Sequence, residues 1–185
     1  MSFLDFYNMA LNMNYRSYDD LPYPVEKKYY NKGDVILDYN QVEKAVYFIN
    51  KGIVELVIKS YMTEKVLDFF FENEMVASLT SFLTQNPSDV KVTALVDCEL
   101  EMISVEDLQN AYDNSPEANK LGRIVMEQAY IRKAKREKDF LSKTAEERYE
   151  SMFKTHAKYL SNIPVNKIAK YLGIHPESLS RIRNK

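Results

Sequence analysis

The chain has 185 residues, of which 45% are hydrophobic, and a net charge of −2. This length suits one sizeable domain or two small ones, and the composition excludes a disordered chain. The single cysteine, Cys98, excludes an internal disulfide and a cysteine-held iron–sulfur cluster. No stretch approaches the roughly 18 apolar residues of a membrane span, and Met1–Ala10 lacks the basic start of a signal peptide. We therefore expect a cytoplasmic protein with no membrane partner.

The front of the chain is predicted to fold as a small antiparallel β-sandwich or barrel. A short helix is expected near Phe3–Leu11, and 77–83 is predicted to be a short helix or loop. Between residues 34 and 103, short runs that alternate apolar and polar residues predict strands. Gly52 supplies the positive φ of a hairpin turn between two of them. The predicted strands are 34–37, 45–50, 53–60, 66–71, 90–96 and 100–103.

The back of the chain is predicted to be helical. Ser104 can cap one short helix, and Ser115 precedes a proline that starts a long helix over 117–141. Thr144 and Glu147 form a capping box that begins a fresh helix, so 139–143 is a natural hinge. We therefore divide the chain into a β-roll region (1–114), a long helix with its hinge (115–143) and a C-terminal domain (144–185).

An apolar seam runs along the long helix at spacings of 3 and 4. It comprises Leu121, Ile124, Gln128 and Ile131. A seam this narrow suits pairing with one identical helix. An amphipathic helix that lies on its own domain explains the same pattern, and the sequence leaves both interpretations open.

Charge divides the chain in the same way. Residues 1–114 carry 9 Lys and Arg against 19 Asp and Glu, whereas residues 115–185 carry 16 against 8. An acidic front and a basic back indicate a polyanionic partner for the second part. A Lys-rich helical region with solvated charges is the alternative interpretation.

The segment 163–183, IPVNKIAKYLGIHPESLSRIR, is typical of a helix-turn-helix. Its first helix follows Pro164, with small Ala169 permitting close crossing of a second helix. Gly173 stands where a left-handed backbone is needed, and Pro176 opens the second helix. The inward residues are Ile168, Ala169, Leu172, Leu179 and Ile182.

The outward residues of that second helix suit reading of duplex DNA. Arg181 can bond guanine and Glu177 can accept from cytosine in the major groove, whereas Lys167 and Lys170 would lie near phosphates. The candidate DNA-binding residues are Glu177, Ser178, Arg181, Arg183, Lys167, Lys170, His175 and Lys185. A helical hairpin used for protein contacts is the alternative.

From about residue 30 to its end, the chain resembles the cyclic-AMP receptor protein and fumarate–nitrate regulator (Crp/Fnr) superfamily. Segment 30–36 resembles the first roll strand, 47–56 the diagnostic hairpin and 98–104 the strand that leads into the helices. The resemblance implies an α+β fold: an N-terminal antiparallel β-roll of the cyclic-nucleotide-binding jelly-roll type, a long dimerisation helix and a C-terminal helix-turn-helix. Between 149 and 164 there is no room for the family's β-hairpin, so the helix-turn-helix is predicted to lack a wing.

The resemblance also implies roles for individual residues. Glu177 and Arg181 match the family's base-reading glutamate and arginine, and Ser178 matches a phosphate-contacting hydroxyl. Pro176 stands where the family has a second base-reading arginine, so readout here must differ.

The family's cyclic-nucleotide cassette is degenerate in this sequence. Ser78 replaces the ribose glutamate, Ser88 replaces the phosphate-binding arginine, Asp89 adds a negative charge and Lys133 stands where an adenine contact would lie. Burying a phosphate without a cation costs several kcal/mol, although Lys91 or Lys133 could partly compensate. We expect an unknown small-molecule effector or none, rather than a cyclic nucleotide, and no metal. The candidate effector-pocket residues are Ser78, Leu79, Ser88, Asp89 and Lys133.

The sequence therefore predicts a homodimeric DNA-binding transcriptional regulator of the Crp/Fnr type that reads the major groove with helix 175–184. The expected partners are double-stranded DNA and a second copy of the chain, with RNA polymerase as a further candidate. No nucleophile–base constellation or phosphate loop is present in the sequence, so we do not expect an enzyme. The alternative is a ligand-binding or protein-interaction roll whose helix-turn-helix is vestigial.

Overall fold

Two four-stranded antiparallel sheets face each other in the first part of the chain. They are seen in a computed structural model that describes residues 1–61 and 63–184. One sheet has the order β1-β8-β3-β6 and the other β2-β7-β4-β5. The strands are β1 (Glu26–Tyr30), β2 (Val35–Leu37), β3 (Ala45–Lys51), β4 (Val54–Lys59), β5 (Glu64–Phe70), β6 (Met75–Val76), β7 (Val90–Ala94) and β8 (Cys98–Ser104). The predicted antiparallel roll is confirmed.

Seven helices accompany these sheets in the described residues. They are α1 (Phe3–Leu11), α2 (Leu79–Thr84), α3 (Val105–Asn114), α4 (Pro116–Ser142), α5 (Ala145–Leu160), α6 (Val165–Leu172) and α7 (Pro176–Arg183). A short 3-10 turn also covers Tyr18–Asp20. The expected caps at Ser104, Ser115 and Thr144 all accept backbone N–H groups. Between 145 and 184 the described chain is helices and turns, so the roll, long helix and wingless helix-turn-helix are confirmed as the architecture.

Two strands were not predicted from the sequence. β1 reads EKKYY and lies at a sheet edge, paired only with β8. Its residues are exposed or half-buried, so it lacks the apolar alternation that identifies a strand with one buried face. β6 has two residues and is too short to show any period.

Gly52 confirms the expected backbone geometry of its turn. It has φ +115°, and a Cβ there would lie 2.5 Å from Sγ of Cys98, so no larger residue fits. Asn40 also has a left-handed backbone, with φ +65°, which asparagine tolerates better than most residues do.

A buried glutamate joins the N-terminal helix to the roll. The carboxylate of Glu101, in β8, accepts the backbone N–H of Phe3 at 2.6 Å and the side-chain amide of Asn50 at 2.6 Å. The hydroxyl of Tyr18 also donates to it. Around this anchor, Phe3 packs edge-on against Phe48. α1 is therefore part of the roll core, not an independent segment.

The helix-turn-helix packs directly on the roll. One apolar cluster contains Ile53, Val57, Val66, Phe69, Phe71 and Leu95 from the roll together with Met152, Ile163, Ile168, Ala169, Leu172 and Leu179. Within this cluster, helix α6 packs against strand β5. The helix-turn-helix is thus held against the second sheet. In the described part of the chain no helix is both long and apolar enough to cross a membrane.

Candidate functional site

The turn between α6 and α7 has the geometry that the motif requires. Gly173 ends α6 with φ +71° and ψ 32°, and its N–H points back at the carbonyls of Ala169 and Lys170. Pro176 stands in the first turn of α7, preceded by His175 as the N-cap residue. Ala169 and Leu179 are fully buried where the helices meet. Packing therefore fixes α6 and α7 relative to each other, and the outer face of α7 is exposed to solvent.

That outer face presents the predicted base-reading residues. Glu177, Ser178, Arg181 and Arg183 are all exposed, and His175 is exposed at the helix start. Because Glu177 and Arg181 are four residues apart, they lie on one face of α7. In the described residues their side chains enter no ion pair. Lys185, also predicted to contact DNA, lies outside the described residues.

The two lysines of α6 have different surroundings. Lys170 is exposed. Lys167 instead forms an ion pair with Glu55, a β4 residue that is 2% exposed. In this arrangement the ammonium group of Lys167 is bound to the roll and is not offered to a phosphate.

The cassette serines meet in the interior of the roll. Ser78 and Ser88 are buried, and their hydroxyl oxygens lie 2.7 Å apart. The Ser88 hydroxyl donates to the carbonyl of Val90, so Ser78 is the donor to Ser88. The two groups that replace the family's ribose and phosphate ligands are therefore satisfied by each other and by the backbone.

A buried carboxylate occupies the same region. Glu43 is 2% exposed and accepts the backbone N–H of Ser78 at 3.1 Å, beside the start of α2. Burial raises the pKa of Glu43 above its usual range, and hydrogen bonds from backbone N–H groups, including those of Ser78 and Ala45, oppose that rise. An ionised Glu43 would repel a phosphate at this position, and a neutral one would attract it far less than an arginine does.

The other predicted pocket residues do not join the serines. Leu79 lines an apolar cavity of about 120 Å³ between the roll and α4, together with residues such as Val125 and Ala129. Asp89 and Lys133 are exposed. Lys133 lines neither this cavity nor the cleft between α4, α5 and α6.

The predicted seam divides between two environments. Leu121 is buried in its own chain against the cluster that contains α1, and Ile124 packs partly on the same cluster. Gln128 is exposed, and Ile131 is 64% exposed. The first half of the seam therefore serves the chain's own core, and the second half faces outward beside Tyr130, which is 73% exposed.

Sequence reasoning missed the buried glutamates Glu43 and Glu55. Glu55 interrupts the apolar run Ile53-Val54-Glu55-Leu56-Val57, whereas Glu43 is followed by Lys44 and gives no such signal. A lone charge at such a position is the available signal, because buried carboxylates need a partner. The sequence could not name the partner, since Glu55 and Lys167 are 112 residues apart.

Comparison with known proteins agrees with this architecture. Residues 27–115 match the family model of the cyclic nucleotide-binding domain. Among the curated protein sequences, none matches the chain. The solved structure of FixK2 from Bradyrhizobium japonicum is similar to this chain. The match covers 87% of this chain and 83% of the FixK2 chain, with a TM-score of 0.74 and 17% identity.

Two further solved structures cover nearly the whole chain. A protein from Eubacterium rectale, assigned to the Crp/Fnr family of transcriptional regulators, covers 97% of this chain and 81% of its own, with a TM-score of 0.70 and 18% identity. A protein from Listeria monocytogenes that contains a cyclic nucleotide-binding domain covers 99% of this chain and 89% of its own. Its TM-score is 0.69 and its identity is 17%. The resemblance that the sequence motifs indicate is confirmed by the domain match and by the fold.

Proposed function

We propose that this chain, which has the fold of the Crp/Fnr regulators and a cyclic nucleotide-binding domain match over residues 27–115, is a homodimeric DNA-binding transcriptional regulator. The observation that carries the proposal is the outer face of α7, where Glu177 and Arg181 are exposed one turn apart. The proposal includes a cytoplasmic location, no catalytic activity and RNA polymerase as a further partner.

The chemistry of that face supports base reading. The guanidinium of Arg181 can bond O6 and N7 of guanine as a bidentate pair, and Glu177 can accept from N4 of cytosine. Against phosphate alone, Glu177 would only repel, so its place on a basic face is better explained by a base contact. Ser178 and Arg183 stand beside these readers, where they can hold the backbone register.

The outer half of α4 supports the homodimer. Ile131 and Tyr130 are 64% and 73% exposed, and they share the helix with exposed Gln128. Burial of these side chains against an identical helix would remove apolar surface from water and place two α7 helices on one duplex.

The roll supports an effector other than a cyclic nucleotide. Ser78 and Ser88 are satisfied by protein groups, and Glu43 puts a carboxylate beside them. A cyclic phosphate there would meet no arginine and would displace internal hydrogen bonds, at a cost of several kcal/mol. An effector, if the roll holds one, would act by shifting the hinge between α4 and α5.

The test is selection of bound duplexes from a random pool, followed by titration with the selected and a scrambled duplex. The wild type should enrich a two-fold related site with half-sites about one helical turn apart. Arg181→Ala should abolish the preference for that site and keep salt-sensitive nonspecific binding. Arg16→Ala, which removes an exposed arginine far from α7 along the chain, serves as the matched control and should keep the preference. A wild type that enriches no sequence would overturn the proposal.

A second function is favoured by one observation. The pairing of Lys167 with buried Glu55 fixes α6 on the roll, as expected for a protein-interaction or ligand-binding module whose helix-turn-helix no longer binds DNA. This alternative predicts that neither Arg181→Ala nor Glu177→Ala changes the affinity of the protein for DNA.

A further inference from the structure

A cleft that the sequence did not indicate lies where α4, α5 and α6 meet. Its volume is about 180 Å³, and residues of all three helices and of β5 line it. We call it the junction cleft. Four cationic side chains contribute to its wall, namely Arg132, Lys135, Arg136 and Arg148.

The carboxylates of the junction cleft are already paired with cations. Asp68 pairs with Arg132 at 2.8 Å, and Glu74, outside the cleft, pairs with the same guanidinium at 2.9 Å. Asp139 pairs with Lys143 at 2.8 Å. None of the ion pairs between described residues involves Lys135, Arg136 or Arg148. These three cations therefore form an excess of positive charge in one concave surface.

The two arginines of this trio are held in fixed positions. Arg136 donates to the carbonyl of Tyr171 at 3.1 Å, and Arg148 donates to the carbonyl of Leu172 at 2.8 Å. Both guanidinium groups stack on the ring of Phe140, at 4.8 and 4.4 Å from its centroid. Side chains ordered in this way lose little entropy when they bind a ligand.

The two guanidinium groups carry like charges close together. An arginine keeps its proton at every physiological pH, so neighbouring guanidinium groups without a carboxylate repel each other until an anion arrives. Arg148 also has a buried Nε–H with no hydrogen-bond partner in the described structure. A buried donor left unpaired is costly, and the bonds that Arg148 donates to the carbonyls of Lys143 and Leu172 offset that cost.

We propose that the junction cleft binds a small anionic metabolite that carries a phosphate or carboxylate group. The cleft volume of about 180 Å³ has room for a compact anion. Lys135, Arg136 and Arg148 supply the charge, and the polar residues Ser151 and Thr155 line the same cleft.

Such a ligand would join three elements that control the helix-turn-helix. Arg136 lies on α4, Arg148 lies on α5, and the carbonyls that they bind end α6. An anion between them stabilises this arrangement of the three helices over any other by its binding free energy. The site is separate from the roll cassette, so the inference goes beyond the proposed function and does not require DNA binding.

The test is isothermal titration calorimetry of the full chain, without DNA, with inorganic phosphate, pyrophosphate and succinate at constant ionic strength. At least one probe should bind saturably. Lys135→Glu reverses an exposed charge of the cleft and should weaken that binding about tenfold or more. Lys120→Glu is the control: the same change on the same helix, 15 residues and about 22 Å away, should alter affinity less than about twofold.

The arms of the experiment distinguish the ligand sources. Tighter binding of pyrophosphate than of succinate indicates a phosphorylated metabolite, and the reverse indicates a carboxylate. Ser151→Asp places a carboxylate in the cleft and should likewise weaken binding about tenfold or more, which keeps the test decisive if one variant is unstable. Absence of saturable binding of all three probes below about 10 mM, roughly 3 kcal/mol, would overturn the proposal. Equal weakening by Lys135→Glu and Lys120→Glu would do the same, because it indicates general surface charge.

Discussion

Replacement of Lys167 by methionine should weaken the attachment of the helix-turn-helix to the roll. Glu55 is 2% exposed and its Oε2 has no hydrogen-bond partner in the described residues, whereas the Lys167 side chain is 27% exposed. Lys167→Met keeps most of the apolar stem and removes the charge. It therefore leaves a carboxylate in the interior with neither water nor a cation.

The magnitude follows from that burial. Loss of one partner of a fully buried pair costs about 3–5 kcal/mol, and because Lys167 is partly hydrated we expect about 2–3 kcal/mol for Lys167→Met. Glu55→Gln should cost about 1 kcal/mol, since Lys167 can turn to water and the amide keeps a hydrogen bond. The double variant contains no unpaired charge, so it should be less destabilised than the sum of the two, by about 2 kcal/mol.

Urea unfolding of the four proteins measures this coupling, with tyrosine fluorescence as one probe and far-ultraviolet circular dichroism as another. Lys170→Met changes an exposed lysine of the same helix and should shift the unfolding free energy by less than about 0.5 kcal/mol. A coupling below about 0.5 kcal/mol between Lys167 and Glu55 would refute the reasoning, because residues that do not touch are additive to that degree.

Three further predictions concern the same C-terminal domain. Leu179→Ala should destabilise it by about 2–5 kcal/mol, because Leu179 is fully buried between the helices; thermal unfolding measures this. Gly173→Ala should cost about 1–2 kcal/mol in urea unfolding, because φ is +71° and the added Cβ would lie 3.3 Å from Phe140. His156 stacks on Phe71 at 4.3 Å, and burial lowers the pKa of His156 below 6.5. The unfolded chain then binds the proton more tightly, so stability should fall as the pH drops below about 6.5, and His156→Phe should reduce that fall.

Each of these has an outcome that contradicts it. Leu179→Ala with unchanged stability would mean that α7 does not pack on α6 in solution. A Gly173→Ala protein as stable as the wild type would be incompatible with a left-handed turn. Parallel pH profiles of the wild type and His156→Phe between about pH 7.5 and 5.5 would show that His156 is hydrated in the folded state.

Most of the elements were predictable because their signals are local. Helix α1 has the predicted bounds, Phe3–Leu11, since its cap and apolar spacing lie within a dozen residues. The turn at Gly173 and the first-turn proline Pro176 likewise identify themselves by backbone chemistry alone. Strand β1 was missed for the converse reason: both its faces are partly open to water, so its sequence shows no buried period.

The candidate site was predictable only on its outer surface. The exposed face of α7, with Glu177 and Arg181, follows from the period of one helix and needs no knowledge of its neighbours. The environment of Lys167 is different, because an ion pair with a residue 112 positions away depends on how the helix-turn-helix packs on the roll. The two halves of the α4 seam also look alike in sequence, yet Leu121 is buried in its own chain and Ile131 is exposed.

The sequence by itself determined the order of the elements, the capping residues and the helix-turn-helix, since caps, turns and periods act over a few residues. The tertiary structure decided which charges are paired. It brings Glu55 to Lys167, puts Glu43 beside Ser78, and leaves Arg136 and Arg148 together in the junction cleft, where neither has an ion-pair partner among the described residues. Electrostatic energy depends on distance and burial, and both are properties of the packed molecule rather than of any short segment.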